Sequence, residues 1–174
     1  MEILMSYEQR NEAGAESEQL VRSELEQRGW LVHPWGRSSF PDAINAALSV
    51  WKDTYKHPCR LRWFPDFLIM RPNEPQTLQA VDVKRHRGAF DIERSALNTY
   101  SALETEMWLP VQIVFHCPES SDEDDILRAI PAGECVISGI PKHGNSEFSS
   151  GTPFFLVDRA RMSSLGAIFG AKKP

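Results

Sequence analysis

No run of apolar residues in this 174-residue chain approaches the roughly 18 that a membrane-crossing helix requires. The first ten residues, Met1 to Arg10, mix acidic and polar side chains where a secretory leader carries a basic flank and an apolar stretch, so the expected location is cytoplasmic. Cysteine is scarce. Cys59, Cys117 and Cys135 are three in number, widely spaced and without a CxxC pair, which argues for reduced thiols and against a disulfide framework or a four-ligand zinc site. His57 lies near Cys59, but no second ligand pair of matching spacing follows. Internal repeats and low-complexity linkers are also missing. Nor is there a surplus of positive charge: a net charge of −5 argues against a protein that coats nucleic acid by bulk charge. It leaves room for an enzyme that grips a few phosphates and uses carboxylates to hold a cation.

What is present suits a folded domain. The chain is 41% hydrophobic and 25% charged, and its length fits one compact domain over residues 1–174. Its charge is unevenly placed. Glu119 and Asp122 to Asp125 form an acidic run, read as a solvated loop leading into a helix N-terminus, where carboxylates suit the dipole. That run lacks the glycine and the spaced ligands of a calcium loop. Lys84, Arg85, His86 and Arg87 form a basic cluster.

Apolar spacing predicts a helix over about 16–28, with Leu20, Val21 and Leu25 as its stripe and Gly29 as the cap that ends it. A short strand is expected at 30–33 and a helix at 42–51, then strand-like runs at 61–70 and 78–84, a helix at 91–107 and a strand at 111–115. Beyond Cys117 the pattern predicts a short helix at 124–129, a strand at 134–140, a polar loop at 142–152, a strand at 153–157 and a last helix. Helices alternate with strands, which predicts an α/β fold: a mixed central sheet flanked by helices, with a C-terminal α/β extension.

The chemistry-bearing feature is Pro65-Asp66, a strand, a turn, a second strand and then Asp82-Val83-Lys84. Strand side chains alternate with period two, so Asp82 and Lys84 share one face while Val81 and Val83 share the other. Two antiparallel neighbours bring Asp66 and Asp82 to a common point if both face the same side of the sheet, which makes an oxygen-rich site suited to Mg²⁺ or Mn²⁺. Such an ion polarises a phosphate and activates water, and Lys84 stands where it can orient that water or stabilise charge on the phosphate. Pro41-Asp42 is a second Pro-Asp pair, but the alanine-rich helical spacing after it reads Asp42 as a residue of a helix start. Arg85 and Arg87 either grip flanking phosphates or form a solvated turn. Tyr100 lies on the next helix and serves the core or hydrogen-bonds near the site. His33 and His116 read as packing residues, and Trp35, Trp51, Trp63 and Trp108 as core aromatics or stacking surfaces for bases.

These residues resemble the PD-(D/E)XK nuclease superfamily, which includes restriction endonucleases and archaeal Holliday junction resolvases. Asp66 matches the first aspartate, Asp82 the acidic position and Lys84 the lysine. The resemblance runs over about residues 14–117, a restriction-endonuclease-like αβββαβ core, with 118–174 as an extension. Glu18-Gln19-Leu20-Val21, then Leu25 and Gly29-Trp30, looks like the first helix of the resolvase-like members, which makes Glu18 a third carboxylate; Glu16 and Glu24 are the other candidates. The resemblance implies a Mg²⁺- or Mn²⁺-dependent nuclease acting on nucleic acid, with DNA as the expected substrate. Two alternatives stand beside it: a catalytically inactive nucleic-acid-binding or assembly module with the same fold, and a structure-selective junction resolvase acting as a homodimer. No membrane partner is expected.

Overall fold

A computed structural model describes residues 7–36, 39–54, 63–85, 90–122, 126–138, 140–143 and 153–173. The first helix, α1 (Tyr7–Gln27), is longer than its apolar stripe predicts, beginning nine residues before position 16. Its inner face is Ala13, Ser17, Val21 and Leu25, four residues apart and all buried, so one side of the helix lies on the sheet. Burying a valine or leucine of this kind contributes about 1.5–3 kcal/mol. Gly29, at φ 82°, ends the helix as expected, with Gly29 N–H donating to the Glu26 carbonyl and Trp30 N–H to that of Leu25.

The chain continues as β1 (Leu31–Pro34), α2 (Asp42–Thr54), β2 (Phe67–Arg71) and β3 (Glu74–Arg85). Next come β4 (Asp91–Glu93), α3 (Arg94–Glu106) and β5 (Val111–His116). After these lie β6 (Leu127–Pro131), α4 (Ala132–Ser138), β7 (Ile140–His143), β8 (Pro153–Leu156), β9 (Ser163–Ser164) and α5 (Leu165–Phe169). Six strands form one mixed sheet in the order β1-β2-β3-β5-β6-β9. The β1–β2, β2–β3, β5–β6 and β6–β9 pairs are antiparallel, and β3–β5, joined through α3, is parallel. A smaller sheet, β4-β8-β7, stands beside it.

The sheet separates two cores. On one face α1 and α5 cover Val81, Val114, Leu127 and Ala129; on the other α3 and α4 cover Ala80, Ile113, Phe115 and Ile130. Alternation along β3 therefore decides which residues meet which layer.

Several expectations are corrected. Of the predicted helix at 124–129, residues 127–129 are instead part of strand β6 (Leu127–Pro131), and the predicted strand at 134–140 is helix α4 over 132–138. Residues 123–125 of the acidic run lie outside the described residues. Pairing decides the first case, since Ile130 sits opposite Ile113 on a central strand. Packing decides the second, since Ala132 and Cys135 are buried in the core beneath α3. The strand expected from 61 begins only at Phe67, and the helix expected from 91 begins at Arg94, after β4. On α2 the expected apolar face is buried at Leu48, while Ala43, Ile44 and Ala47 are exposed. Among the described residues no helix is long and apolar enough to cross a membrane.

Candidate active site

Three backbone features place Asp66 at the mouth of β2. Pro72-Asn73 makes the tight turn between β2 and β3, with Asn73 at φ 63°, and an irregularity between Ile69 and Arg71 shifts the register so that Phe67 lies opposite Val81. The N–H groups of Trp35 and Gly36 both donate to the Asp66 carbonyl, at 2.8 and 3.3 Å. Gly36 has no room for a side chain: a Cβ there would stand 2.9 Å from the Pro65 carbonyl oxygen and 3.1 Å from the Asp66 Cα. Across the strand pair, the Val83 N–H donates to Asp66 Oδ2 at 2.7 Å.

Asp82 is 3% exposed, although it is an acid on a central strand. Its Oδ2 is buried and lies 2.6 Å from Lys84 Nζ, yet no well-directed hydrogen bond reaches it. The Tyr100 hydroxyl, brought in by α3, also hydrogen-bonds to Asp82. The shared face of Asp82 and Lys84 is as alternation requires, and it is the face that α3 covers.

Electrostatics mark this as a crowded acidic centre. Burial pushes the Asp66 carboxyl well above its ordinary range, Asp82 raises it further and Glu18 adds to the shift, against the opposing pull of Lys84. Burial pulls the Lys84 ammonium down, but Asp82 and Asp66 outweigh it and the net shift is upward, so Lys84 is a cation at neutral pH. Tyr100 is also pushed well up, by burial and then by Asp82, and stays a neutral donor. Burial pushes the Cys135 thiol up to about 12, which removes it as a nucleophile.

The other predicted residues are placed as follows. Glu18, half-buried on α1, is near enough to Asp66 to raise it, and it lines a small hollow with Pro34 and Phe67. Among the described residues no three His, Cys, Asp or Glu side chains converge as a ready-made metal cluster. Arg85 faces α1, where its Nη1 donates to Glu16 Oε2 at 2.7 Å and to the Ala13 carbonyl at 3.1 Å. His86 and Arg87 lie outside the described residues, as do His57 and Cys59.

His116, read from the sequence as a packing residue, has a polar partner: its Nδ1 lies 2.8 Å from the buried Ser17 Oγ. Because the single Ser17 proton goes to the Ala13 carbonyl at 2.9 Å, His116 is assigned as the donor to Ser17. His33 is exposed, and Trp108, expected to pack or stack, is 88% exposed at φ 56° between α3 and β5. Sequence reasoning missed Glu93, which accepts from Trp63 Nε1 at 2.9 Å and acts electrostatically on both Lys84 and Tyr100. Its signal was hidden because residues 91–93 read as the first turn of a helix.

A divalent cation fits this donor set. Asp82 Oδ2 is a buried carboxylate oxygen ion-paired with Lys84 at 2.6 Å, and Asp66 and Asp82 are carboxylates whose mutual repulsion a cation would relieve.

Sheet order and flanking helices define an α/β fold built on a mixed six-stranded sheet. Among solved structures, the chain is similar to Archaeoglobus fulgidus Hjc, a Holliday junction resolvase from an archaeal hyperthermophile, at a TM-score of 0.52 and 13% identity, covering 90% of this chain and 100% of that one. It is also similar to D212, a nuclease from a fusselovirus, at a TM-score of 0.47 and 11% identity, covering 97% of this chain and 94% of that one. No protein-family model and no curated sequence matches the chain. At 13% identity what the chain shares with the resolvase is the fold.

Proposed function

We propose that the protein is a metal-dependent nuclease that hydrolyses phosphodiester bonds in nucleic acid, with DNA as its substrate. The observation that carries this reading is the crowding of two carboxylates, the half-buried Asp66 and the buried Asp82, with Lys84 ion-paired to Asp82 at 2.6 Å. A purely structural site gains little from this arrangement, because burying charge is costly unless the charge is fully paired. Such perturbed, crowded acids are typical of catalytic centres.

Asp66 and Asp82 are the residues that would hold Mg²⁺ or Mn²⁺, with Glu18 as the third carboxylate at the edge. When bound, the cation supplies Lewis acidity toward the phosphate and lowers the pKa of water. Lys84 donates to charge developing on the phosphate, or orients the incoming water. Tyr100 holds Asp82 in its orientation from the α3 side, and the Val83 N–H does the same for Asp66.

The fold of a Holliday junction resolvase also bears on substrate class, so a four-way junction belongs in the assay. The test is cleavage of plasmid, single-stranded oligonucleotide and four-way junction with and without Mg²⁺, comparing wild type with Asp66→Ala. Mg²⁺-dependent cleavage by the wild type, lost in the variant while circular dichroism stays native, is the expected result. Wild-type cleavage by Asp66→Ala, or no cleavage by either protein, overturns it.

A further inference from the structure

Beside Lys84 the molecule has a cleft of about 360 Å³, within the range of small-ligand sites. Trp63 and Phe154 both line it, together with Lys84, Arg85, Asp91 and Glu93. Its walls come from both sheets: Lys84 from β3, Asp91 and Glu93 from β4, and Phe154 from β8, which pairs with β4 through Glu93↔Phe154. The C-terminal part of the chain thus completes a cavity that opens beside the candidate catalytic lysine. Trp63 is held in place, since its indole N–H donates to Glu93 Oε2 at 2.9 Å.

The lining is selective about what enters. Two aromatic side chains offer the flat apolar surfaces on which nucleobases stack. On the β4 wall two carboxylates, Asp91 and Glu93, repel phosphate, while Lys84 and Arg85 on the β3 wall attract it, so the sugar-phosphate chain is steered to the β3 side of the cleft. Lys84 provides the positive charge on the side where the candidate reaction takes place. A neutral planar group attached to a phosphate beside Lys84 satisfies all three conditions. A base stacked within a duplex does not, because its faces are already covered.

We infer that this cleft receives one unpaired nucleobase next to the phosphate held at Lys84, so the preferred substrate is single-stranded or has an extruded nucleotide. The inference rests on the nuclease reading for its substrate class, but binding tests it without cleavage. Anisotropy in EDTA is measured with a labelled 12-mer DNA strand, its blunt duplex, the same duplex with one unpaired central base, and the RNA strand of the same sequence. Wild type is expected to bind a single strand, and the duplex with the unpaired base, about 10-fold or more tighter than the paired duplex, in line with about 1–3 kcal/mol per stacked base. The DNA and RNA strands report which sugar is favoured, and a preference for either over the paired duplex supports the cleft. Phe154→Leu is expected to remove the preference, and Trp63→Phe, which keeps a ring, to retain most of it. Equal wild-type binding to paired and unpaired forms overturns the inference whether or not the variants fold. So does a folded Phe154→Leu that keeps the preference. If unpaired forms are preferred but nothing is cleaved in Mg²⁺, the nuclease reading falls and the cleft stands; cleavage without preference has the opposite consequence.

Discussion

At the scale of single residues, the site concentrates charge that the fold must tolerate, and this makes its acid-base behaviour testable. Burial first, and Asp82 second, raise the Asp66 carboxyl. Between the unfolded value of about 3.9 and the raised folded value, the native protein keeps a proton that the unfolded chain has released. Stability from this group is therefore complete below about pH 3.9 and is lost as pH rises through the folded value. Asp66→Asn removes the dependence. In urea unfolding with EDTA, the wild type is expected to fall relative to Asp66→Asn as pH rises above about 3.9, and Mg²⁺ to stabilise only the wild type. A wild-type curve parallel to that of the variant would contradict the raised acid. Lys84 belongs to the same scale. It has no acceptor and cannot ligate a cation while protonated, so Lys84→Ala is expected to leave Mn²⁺ affinity near native by calorimetry. Single-turnover cleavage should drop about 100-fold or more. Near-native cleavage would remove Lys84 from the chemistry.

At the scale of elements, the residues whose periodicity is local were legible and those decided by distant partners were not. Alternation along 78–84 gave the two faces of β3, and Gly29 gave the end of α1. Asp66 was separable from Asp42 because an apolar strand follows the first and a helix the second. By contrast, β6 is a strand because β5 and β9 flank it, and α4 is a helix because it packs under α3; neither partner is visible in a local window. Tyr100 was placed on the right helix, but its bond to Asp82 depends on how α3 crosses the sheet. The Ser17–His116 pair joins positions 99 residues apart and left no sequence signal. Gly36 is another tertiary feature, and it makes a prediction. Gly36→Ala forces the added Cβ against the backbone at Pro65 and Asp66 and so shifts the carboxylate without removing any reactive group. Because a misplacement of about 1 Å costs up to about 100-fold, cleavage is expected to fall by one to two orders of magnitude. Circular dichroism should remain native. Wild-type cleavage by Gly36→Ala would show that the loop yields without moving Asp66.

At the scale of the whole molecule, the sheet divides the work between its faces. Asp82, Lys84 and Tyr100 occupy the α3 side, while the opposite side holds a dry cluster of Val21, Leu25, Trp30, Val81, Val114 and Phe169. Phe169, fully buried, locks that second face. Its ring meets Trp30 edge to face at 5.9 Å, and its carbonyl accepts from Trp30 Nε1 at 2.9 Å and from Arg71 Nη2 at 3.0 Å. The next carbonyl, Gly170, accepts from Arg28 Nη1 at 2.7 Å. The last helix thereby ties the end of α1 to β2, on the side of the sheet away from Asp82 and Lys84. Phe169→Ala removes the ring but leaves every one of these backbone carbonyls in place, so the expected loss is that of a large-to-small core change, about 3–5 kcal/mol. If stability and chemistry are segregated by the sheet, that loss appears in the urea midpoint while the cleavage rate at 15 °C, where the variant is still folded, stays within a few-fold of wild type. Phe169→Leu, which refills much of the space, should recover much of the midpoint. A Phe169→Ala protein that is folded at 15 °C but has lost cleavage would mean that the two faces are mechanically coupled, with α1 and its Glu18 as the connecting element.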